Sequence, residues 1–175
     1  MLLLSREDIK SVFTMNDSIE AVKKAFMLYS DGKSEVPLRT NIQVPEHNGT
    51  LLFMPAYVGD LDTASLKIVN IFPENVKKGL PTAPAQVLLI DTNTGIVEAV
   101  LDGTYVTQLR TGAASGAAFD ALAVKDAKVG ALIGTGGQAA TQLEAMLCAR
   151  KLEKVKIFDM CKERLDAFVE RMSAE

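Results

Sequence analysis

Histidine and cysteine are scarce in this sequence, which contains one His and two Cys in 175 residues. Clusters of His and Cys that hold a metal ion are therefore not expected. Cys148 and Cys161 are too far apart for a CxxC pair and too few for a disulfide framework, which is typical of a protein from a reducing compartment. We interpret both as ordinary small residues, and His47 in the turn EHNG as a solvated loop residue.

The sequence also lacks an excess of positive charge and a long apolar run at its start. It has 19 Lys and Arg against 22 Asp and Glu, a formal net charge of -3, so phosphate backbones and anionic lipids are not expected partners. The opening MLLLSREDIK is too short in apolar residues for a signal peptide core or a membrane span. We therefore predict a cytoplasmic protein without nucleic-acid or membrane partners.

What the chain does contain is enough apolar material for a core, since 48% of its residues are hydrophobic. Two short helices are predicted first, one beginning after Ser5 and one after Asp17, where DSIE places Glu20 in a capping-box position. Gly32 ends the second helix. Four apolar residues at helical spacing are predicted to lie in the core: Ile19, Val22, Phe26 and Tyr29.

The apolar pattern then changes to a period of two, which is typical of strands. From Val36 to Val44 apolar and polar residues alternate, which predicts a half-buried strand with Arg39 on its polar face. Apolar runs at 50–58, 63–71, 85–91 and 95–103 follow, separated by turn-like segments. About five strands in this order favour a mainly antiparallel sheet.

A helix rich in Ala, Gly and Ser is predicted from Thr104 to about Ala123. Gly112 and Gly116 are four residues apart, so another backbone can approach one side of this helix, which we expect to be buried. The following segment, VGALIGTGGQAATQLEAMLCARKLEKVKIFDM, predicts a strand, a glycine turn, a helix and a second strand, which is a βαβ unit. We place the boundary between the two regions near Lys125.

The glycine turn of this segment contains the clearest ligand-binding motif in the sequence. GTGGQA places Gly134, Gly136 and Ala139 in the pattern G-x-G-x-x-G/A, after a strand and before a helix. Small residues let a pyrophosphate approach the backbone N–H groups and the positive end of the helix dipole. The motif alone leaves open a tight strand-to-helix turn with no ligand.

Asp159 strengthens the dinucleotide interpretation because it ends the second strand, 25 residues after Gly134. A carboxylate at this point accepts hydrogen bonds from ribose hydroxyls and repels a 2′-phosphate. The absence of an Arg just after Asp159 favours NAD, while Lys162 keeps NADP as the less favoured alternative. The predicted fold class is therefore α/β: an N-terminal α+β domain with a mainly antiparallel sheet (1–125), then the start of a Rossmann dinucleotide-binding domain (126–175), incomplete in this chain.

Three cationic residues lie in otherwise uncharged or apolar surroundings, and each has more than one possible role. Arg110 is the only charged residue between Gly103 and Phe119, and a guanidinium buried there requires a salt bridge, a path to the surface or an anionic ligand. Arg39 is either solvated on its strand or bound to an anion. Lys67 is the only charge in ASLKIVNIF, which suits either an edge strand or a ligand site.

Taken together, these residues resemble the ornithine cyclodeaminase/mu-crystallin family, which includes archaeal-type alanine dehydrogenases and ketimine reductases. The resemblance covers essentially the whole chain. It is carried by PLRT (37–40), FMPAY (53–57), LKIVNIFPEN (66–75), GLPT (79–82), DGTYVTQLRTGAAS (102–115) and IGTGGQA (133–139).

The resemblance implies a role for each candidate residue. Arg39, Lys67 and Arg110 would hold the carboxylate of an amino or imino acid, and Met54 would line the substrate pocket. Lys67 would also be the catalytic acid or base. The implied dinucleotide-binding residues are Thr82, Arg110, Gly134, Gly136, Gly137, Gln138, Ala139 and Asp159.

The implied function is an NAD-dependent enzyme acting at the α-carbon of a small amino or imino acid, like ornithine cyclodeaminase or alanine dehydrogenase, with ammonia release. A ketimine or pyrroline-carboxylate reductase and a non-catalytic, mu-crystallin-like binding protein are the alternatives. The resemblance also implies that domain 1–125 binds substrate and forms a homodimer through its sheet. Family members are longer, so we expect a segment of a longer protein with little catalysis of its own, the family's catalytic aspartate having no counterpart here.

Overall fold

The computed structural model describes residues 1–174 and divides into two compact units. The first unit contains Met1–Val12 and Ala25–Thr107, and the second contains Phe13–Lys24 and Gln108–Glu175. This partition by compactness differs from the functional division near Lys125, which stays a prediction.

The two N-terminal helices, α1 (Arg6–Val12) and α2 (Met15–Ser30), both begin with a reciprocal cap. Ser5 and Asp8 exchange backbone-to-side-chain hydrogen bonds of 2.9 and 3.2 Å, which confirms the predicted start of α1. The predicted start of α2 is wrong. Thr14 and Asp17 form its cap with bonds of 2.9 and 3.2 Å, so α2 begins at Met15, three residues before the predicted first helical residue, Ser18.

The end of α2 agrees with the sequence, but its predicted core face does not. Gly32 follows the helix with a φ of 69°, a conformation that favours glycine. Ile19 is buried, whereas Phe26 and Tyr29 are 56% and 63% exposed. Helical spacing predicts which side chains share a face, but it does not reveal whether another element covers that face.

The first unit is built on a sheet of seven strands, counted over residues 1–174, which run as follows: β1 (Leu2–Leu4), β2 (Ser34–Glu35), β3 (Thr40–Val44), β4 (Gly49–Val58), β5 (Thr63–Ile71), β6 (Ala85–Asp91) and β7 (Val97–Asp102). Their order is β1-β7-β6-β5-β4-β2, with β3 also paired to β4. Only the pairing of β1 with β7 is parallel, so the predicted antiparallel sheet is confirmed.

The strand predicted from Val36 to Val44 is wrong in its first half. Pro37 has no backbone N–H and restricts the residue before it, so β2 stops at Glu35 and β3 begins only at Thr40. Leu38 is 97% exposed in the gap, and Ile42 is also exposed. This segment is therefore not half-buried in the chain as described.

The buried centre of this sheet lies on one face of β4, β5 and β6. Leu52 pairs with Val69, which in turn pairs with Ala85, so the three side chains form a row across the sheet. Together they make a buried cluster, with Met54 and Ala83 packed against it.

Helix α3 (Gly103–Leu122) confirms the predicted role of its small residues. Within the second unit, a Cβ at Gly112 would lie 2.7 Å from the carbonyl carbon of Thr141. A Cβ at Gly116 would lie 2.6 Å from the Cδ1 atom of Ile19. Neither position has room for a side chain, because real Cβ atoms do not approach other heavy atoms so closely.

The second unit contains the predicted βαβ segment, formed by β8 (Val129–Ile133), α4 (Ala139–Ala149) and β9 (Lys154–Phe158), with α5 (Lys162–Ala174) after it. Strands β8 and β9 pair in parallel, as predicted. The core of this segment is a cluster of four buried residues: Leu132, Ala139, Leu143 and Phe168.

A buried arginine that the sequence analysis did not single out closes the C-terminal end of α3. Arg150 donates from Nη2 to the carbonyl oxygens of Phe119 and Ala123, both at 2.8 Å. Its Nε donates to the carbonyl oxygen of Val124 at 3.0 Å, and its Nη1 lies 3.3 Å from the carboxylate of Asp120. These bonds give donors to carbonyl groups at and just beyond the end of α3, where the carbonyl oxygen of Phe119 also accepts from the N–H of Ala123 at 3.0 Å and that of Val124 from the N–H of Ala127 at 3.3 Å.

Candidate functional site

The glycine turn between β8 and α4 has an unusual backbone and open space above it. Gly134 has a φ of 93°, and its N–H donates to the carbonyl oxygen of Phe158 at 2.7 Å. A Cβ built at Gly134, Gly136 or Gly137 would meet no heavy atom within 4 Å. The turn therefore has room for a phosphate group against its backbone.

The third position of the motif is small for a different reason. Ala139 begins α4, is buried, and belongs to the cluster that joins this helix to β8 and α5. A larger residue would push the helix away from the strand. Gln138 precedes the helix, and the first N–H groups of such a helix have no intrahelical acceptor. The arrangement fits the pyrophosphate of a dinucleotide.

Asp159, which directly follows β9, has a carboxylate that is almost fully enclosed, with 2% of its side chain exposed. Its Oδ2 accepts from the N–H and the hydroxyl of Thr135, both at 2.7 Å, and its Oδ1 accepts from the N–H of Cys161 at 2.9 Å. Arg164 donates from Nη2 to Oδ1 at 2.6 Å and from Nε to Oδ2 at 3.2 Å. The guanidinium of Arg164, followed by the bonds from Cys161 and Thr135, holds the pKa of Asp159 well below its usual range.

Thr135 and Arg164 are therefore residues of the candidate site that the sequence analysis missed. No Arg stands just after Asp159 in the sequence, but the structure brings Arg164 to this carboxylate from the first turn of α5. The available signal was the position of Arg164, five residues after Asp159, at the start of a helical segment.

The first unit brings two of the predicted substrate residues to one level of its sheet. Met54 on β4 pairs with Lys67 on β5, so their side chains lie on the same face. Both border the buried cluster that contains Leu52 and Val69. Arg39 directly precedes β3, whose first residue, Thr40, pairs with Phe53, the residue before Met54.

Lys67 is not on an edge strand, which removes one of its two interpretations. Strand β5 lies between β4 and β6, and Lys67 pairs with Met54 on one side and Val87 on the other. Its side chain is partly buried. A lysine in the middle of a sheet, beside a hydrophobic cluster, is costly unless a polar or charged group meets it.

Arg39 and Arg110 are both exposed in the described chain. Neither has a carboxylate within ion-pair distance among residues 1–174. The salt bridge considered for Arg110 is therefore absent from the described residues. Although Arg110 as a whole residue is exposed, the surrounding protein reduces the access of its guanidinium to water. This desolvation lowers the pKa of Arg110.

Thr82, the remaining candidate, lies in an exposed loop of the first unit between the short helix Pro73–Lys78 and β6. Its carbonyl oxygen accepts a hydrogen bond of 2.9 Å from the N–H of Phe72. The loop is thereby anchored to the end of β5.

Residues 1–174 contain neither a metal-binding cluster nor a membrane-spanning helix. Over that range, no group of three or more His, Cys, Asp and Glu side chains is arranged to hold a metal ion. None of the helices there is both long and apolar enough to span a membrane.

The chain is similar over its full length to known proteins. It superimposes on Δ1-pyrroline-2-carboxylate reductase from Thermococcus litoralis, solved with NADH and L-proline, with a TM-score of 0.94 and 46% identity, covering 99% of this chain and 54% of that one. It superimposes on an archaeal alanine dehydrogenase dimer with bound NAD, with a TM-score of 0.90 and 38% identity, covering 99% and 53%. It is 40% identical to alanine dehydrogenase from Archaeoglobus fulgidus over 168 residues, which are 96% of this chain and 51% of that protein.

The chain thus spans about half the length of the relatives it matches. The sequence profile of the ornithine cyclodeaminase/mu-crystallin family matches residues 1–175. With this match, a common fold and the motif-bearing turn in place, the chain belongs to the ornithine cyclodeaminase/mu-crystallin family.

Proposed function

We propose that the protein carrying this chain is an NAD-dependent enzyme that acts at the α-carbon of a small amino or imino acid. The observation that carries the proposal is the open glycine turn between β8 and α4, tied to Asp159 at the end of β9. Relatives solved with NADH and with NAD support the identity of the cofactor. NADP is the less favoured cofactor.

The proposed dinucleotide site uses the turn for the pyrophosphate and the end of β9 for the adenosine ribose. The proposed cofactor-binding residues are Gly134, Gly136, Gly137, Gln138, Ala139 and Asp159 from this segment, with Thr82 and Arg110. When bound, the nicotinamide supplies the hydride acceptor or donor for the reaction.

The proposed substrate site uses the cations of the first unit. Lys67, with Arg39 just before the neighbouring β3, offers positive charge where a substrate carboxylate would bind, and Met54, which pairs with Lys67, is the apolar wall. Arg110 is proposed to bind the same carboxylate or a cofactor phosphate. Holding the carboxylate in one orientation fixes the α-carbon for hydride transfer, and this is where most of the rate enhancement would arise.

Lys67 is the proposed catalytic residue. It lies on a central strand beside a hydrophobic cluster and is partly buried. A lysine in such surroundings can pass a proton to or from the substrate nitrogen or an attacking water.

We further propose a cytoplasmic homodimer that pairs through the sheet of domain 1–125, followed by the dinucleotide-binding domain that begins at 126. Ile42 and Tyr57 are exposed apolar residues on the face of the sheet opposite Lys67. Exposed apolar side chains on one sheet face favour an interface. The dimer named for the archaeal alanine dehydrogenase supports the same arrangement.

A reductase of a cyclic imino acid is the second candidate, in place of an amino acid dehydrogenase or cyclodeaminase. It is favoured by the 46% identity to the Thermococcus litoralis reductase, which exceeds the 38% and 40% identities to the alanine dehydrogenases. A non-catalytic protein that binds a dinucleotide and a small ligand is the third.

One set of assays on the full-length protein tests these candidates. L-alanine and L-ornithine are each supplied with NAD, Δ1-pyrroline-2-carboxylate is supplied with NADH, and NADH absorbance is followed together with ammonia. Equimolar NADH and ammonia from alanine identify a dehydrogenase, and ammonia with proline from ornithine without net NADH identifies a cyclodeaminase. NADH consumption with the imino acid identifies the reductase. Binding of NADH without turnover leaves the binding protein, and failure to bind NADH contradicts the proposed function.

A further inference from the structure

We propose that Arg164 is a specificity-determining residue of the dinucleotide site, and that it lets the site accept a 2′-phosphorylated dinucleotide, NADP, as well as NAD. This inference rests on the proposed function. It concerns the contacts between Asp159, Arg164 and Thr135 at the end of β9, where the adenosine ribose of a bound dinucleotide lies in such folds.

A carboxylate selects NAD when it can accept hydrogen bonds from the ribose hydroxyls and when its charge repels a 2′-phosphate. Asp159 is poorly placed for the first task. Its two oxygens already accept five hydrogen bonds, from Thr135, Cys161 and Arg164. A carboxylate has about four lone-pair positions, so a ribose hydroxyl binds Asp159 only by displacing one of these donors.

Asp159 is also poorly placed for the second task. The guanidinium of Arg164 lies 2.6 Å from its Oδ1, so the charge that would repel a phosphate is paired at short range. The carboxylate itself is shielded, with 2% of its side chain exposed, whereas the side chain of Arg164 is 57% exposed. A group that arrives from solvent therefore meets the cation first.

Arg164 retains donors for such a group. It uses Nε and Nη2 on Asp159, and its Nη1 has no hydrogen-bond partner among residues 1–174. A guanidinium has five N–H donors in a rigid plane, which match the oxygens of a phosphate. Arg164 can therefore keep its pair with Asp159 and still bind a 2′-phosphate.

The other charged groups on this turn of α5 are engaged elsewhere. Lys162 pairs with Asp166 at 2.7 Å, and Glu163 accepts a hydrogen bond from the thiol of Cys161 at 3.3 Å. Lys162 is thus a matched control, since it is a cation two residues from Arg164 that makes no hydrogen bond to Asp159.

The test measures binding rather than turnover. The full-length protein, without substrate, is titrated with NADH and with NADPH, and the fluorescence of each reduced dinucleotide gives its Kd. We expect the Kd for NADPH to lie within about tenfold of that for NADH. Arg164→Ala should raise the ratio of the two constants by about tenfold or more, through weaker NADPH binding, because a charge-assisted contact to phosphate is lost. Lys162→Ala should change the ratio by less than about threefold.

Each other outcome has a defined meaning. If Arg164→Ala binds NADH but leaves the ratio unchanged, or if the unaltered protein binds NADPH more than about a hundredfold weaker than NADH, the inference is wrong and the proposed function stands. If the unaltered protein binds neither dinucleotide, both are wrong. Should circular dichroism show that Arg164→Ala does not fold, Arg164→Lys decides. An ammonium in place of the planar fork should raise the ratio by more than about threefold, and an unchanged ratio contradicts the inference.

Discussion

The carboxylate of Asp159 accepts hydrogen bonds from both the backbone N–H and the hydroxyl of Thr135, each at 2.7 Å. Thr135 is buried within the glycine turn, between Gly134 and Gly136. The end of β9 thereby fixes the conformation of the turn that follows β8. One carboxylate orders the proposed pyrophosphate site from within the protein, before any ligand arrives.

Replacing Thr135 by Val should loosen this turn. The substitution keeps the shape of the side chain but removes the hydroxyl that donates to Asp159. We expect the affinity for NADH to fall by about three- to tenfold, which is the effect of losing one hydrogen bond to a charged group at a site that orients the ligand. Fluorescence titration with NADH measures it. Thr63→Val removes a hydroxyl that donates to the carbonyl oxygen of Leu61 in the first unit, and should leave the affinity unchanged. Equal effects of the two substitutions would contradict the role of Thr135.

Gly112→Ala should destabilise the second unit. The added Cβ would lie 2.7 Å from the carbonyl carbon of Thr141, so α3 and α4 would have to separate. We expect the free energy of unfolding to fall by about 1–3 kcal/mol, the usual cost of overpacking, as measured by urea denaturation. Gly136→Ala is the matched control, because a Cβ there meets nothing within 4 Å, and its effect should stay within about 0.5 kcal/mol. A stable Gly112→Ala protein would show that this helix contact is looser than described.

Arg150→Met should weaken the C-terminal end of α3. The substitution keeps an apolar stem but removes the side-chain donors to the carbonyl groups of Phe119, Ala123 and Val124, of which Phe119 and Val124 each keep one backbone N–H donor. We expect a loss of about 2–4 kcal/mol in the free energy of unfolding, because buried acceptors and a carboxylate lose their partner together. Lys128→Met removes an exposed ion pair with Glu153 and should cost less than about 1 kcal/mol. Similar losses for the two variants would mean that the cap contributes little.

The stability of the protein should fall in acid because of Asp120. Hydrogen bonds from Lys23 and Arg150 lower the pKa of Asp120 from 3.8 to about 2. A folded-state pKa below the unfolded value stabilises the fold at pH values above the unfolded pKa, and this contribution is lost as the pH falls from about 4 to about 2. Urea midpoints across this range should decline less steeply for Asp120→Asn than for the unaltered protein.

The control for this pH effect is Asp126→Asn, at an exposed carboxylate that forms no ion pair among residues 1–174. Its acid decline should match that of the unaltered protein. An identical decline for Asp120→Asn would contradict the assignment of the effect to Asp120.

Lys67→Met in the full-length protein should abolish turnover without affecting dinucleotide binding. Removing a general acid or base typically costs about 100- to 10,000-fold in rate, and methionine keeps the aliphatic part of the side chain beside the hydrophobic cluster. Steady-state kinetic assays give kcat, and fluorescence titration gives the Kd for NADH. Lys77→Met, at an exposed lysine paired with Glu74, should retain normal kcat. Full activity of Lys67→Met would remove Lys67 from the catalytic role.

The local elements were accessible from the sequence because their signals are local. The alternation of apolar residues in β4 and β5, the cap of α1 and the order strand, glycine turn, helix, strand each depend on neighbouring residues, and the structure agrees with them. Errors arose where two local signals competed. Thr14–Asp17 and Asp17–Glu20 both have residue types that fit a capping box, and the structure forms the first.

Which side chains are buried, and which strands pair, depends on the tertiary structure. The spacing of Phe26 and Tyr29 predicts a common face, but their exposure depends on what packs against it. The alternation from Val36 to Val44 predicts a polar face that includes Arg39 and Asn41, but the pairing of Asn41 with Leu52 makes that face of β3 the one that Met54 and Lys67 share.

The family, the glycine turn and the candidate cations can be identified from the amino-acid sequence alone, because motifs are short strings of residue types. The position of Lys67 on a central strand, the contacts of Arg150 at the end of α3 and the pair of Arg164 with Asp159 depend on the fold. Strand order and contacts between distant residues depend on how the chain returns on itself, and no local pattern encodes where a long side chain finds its acceptor.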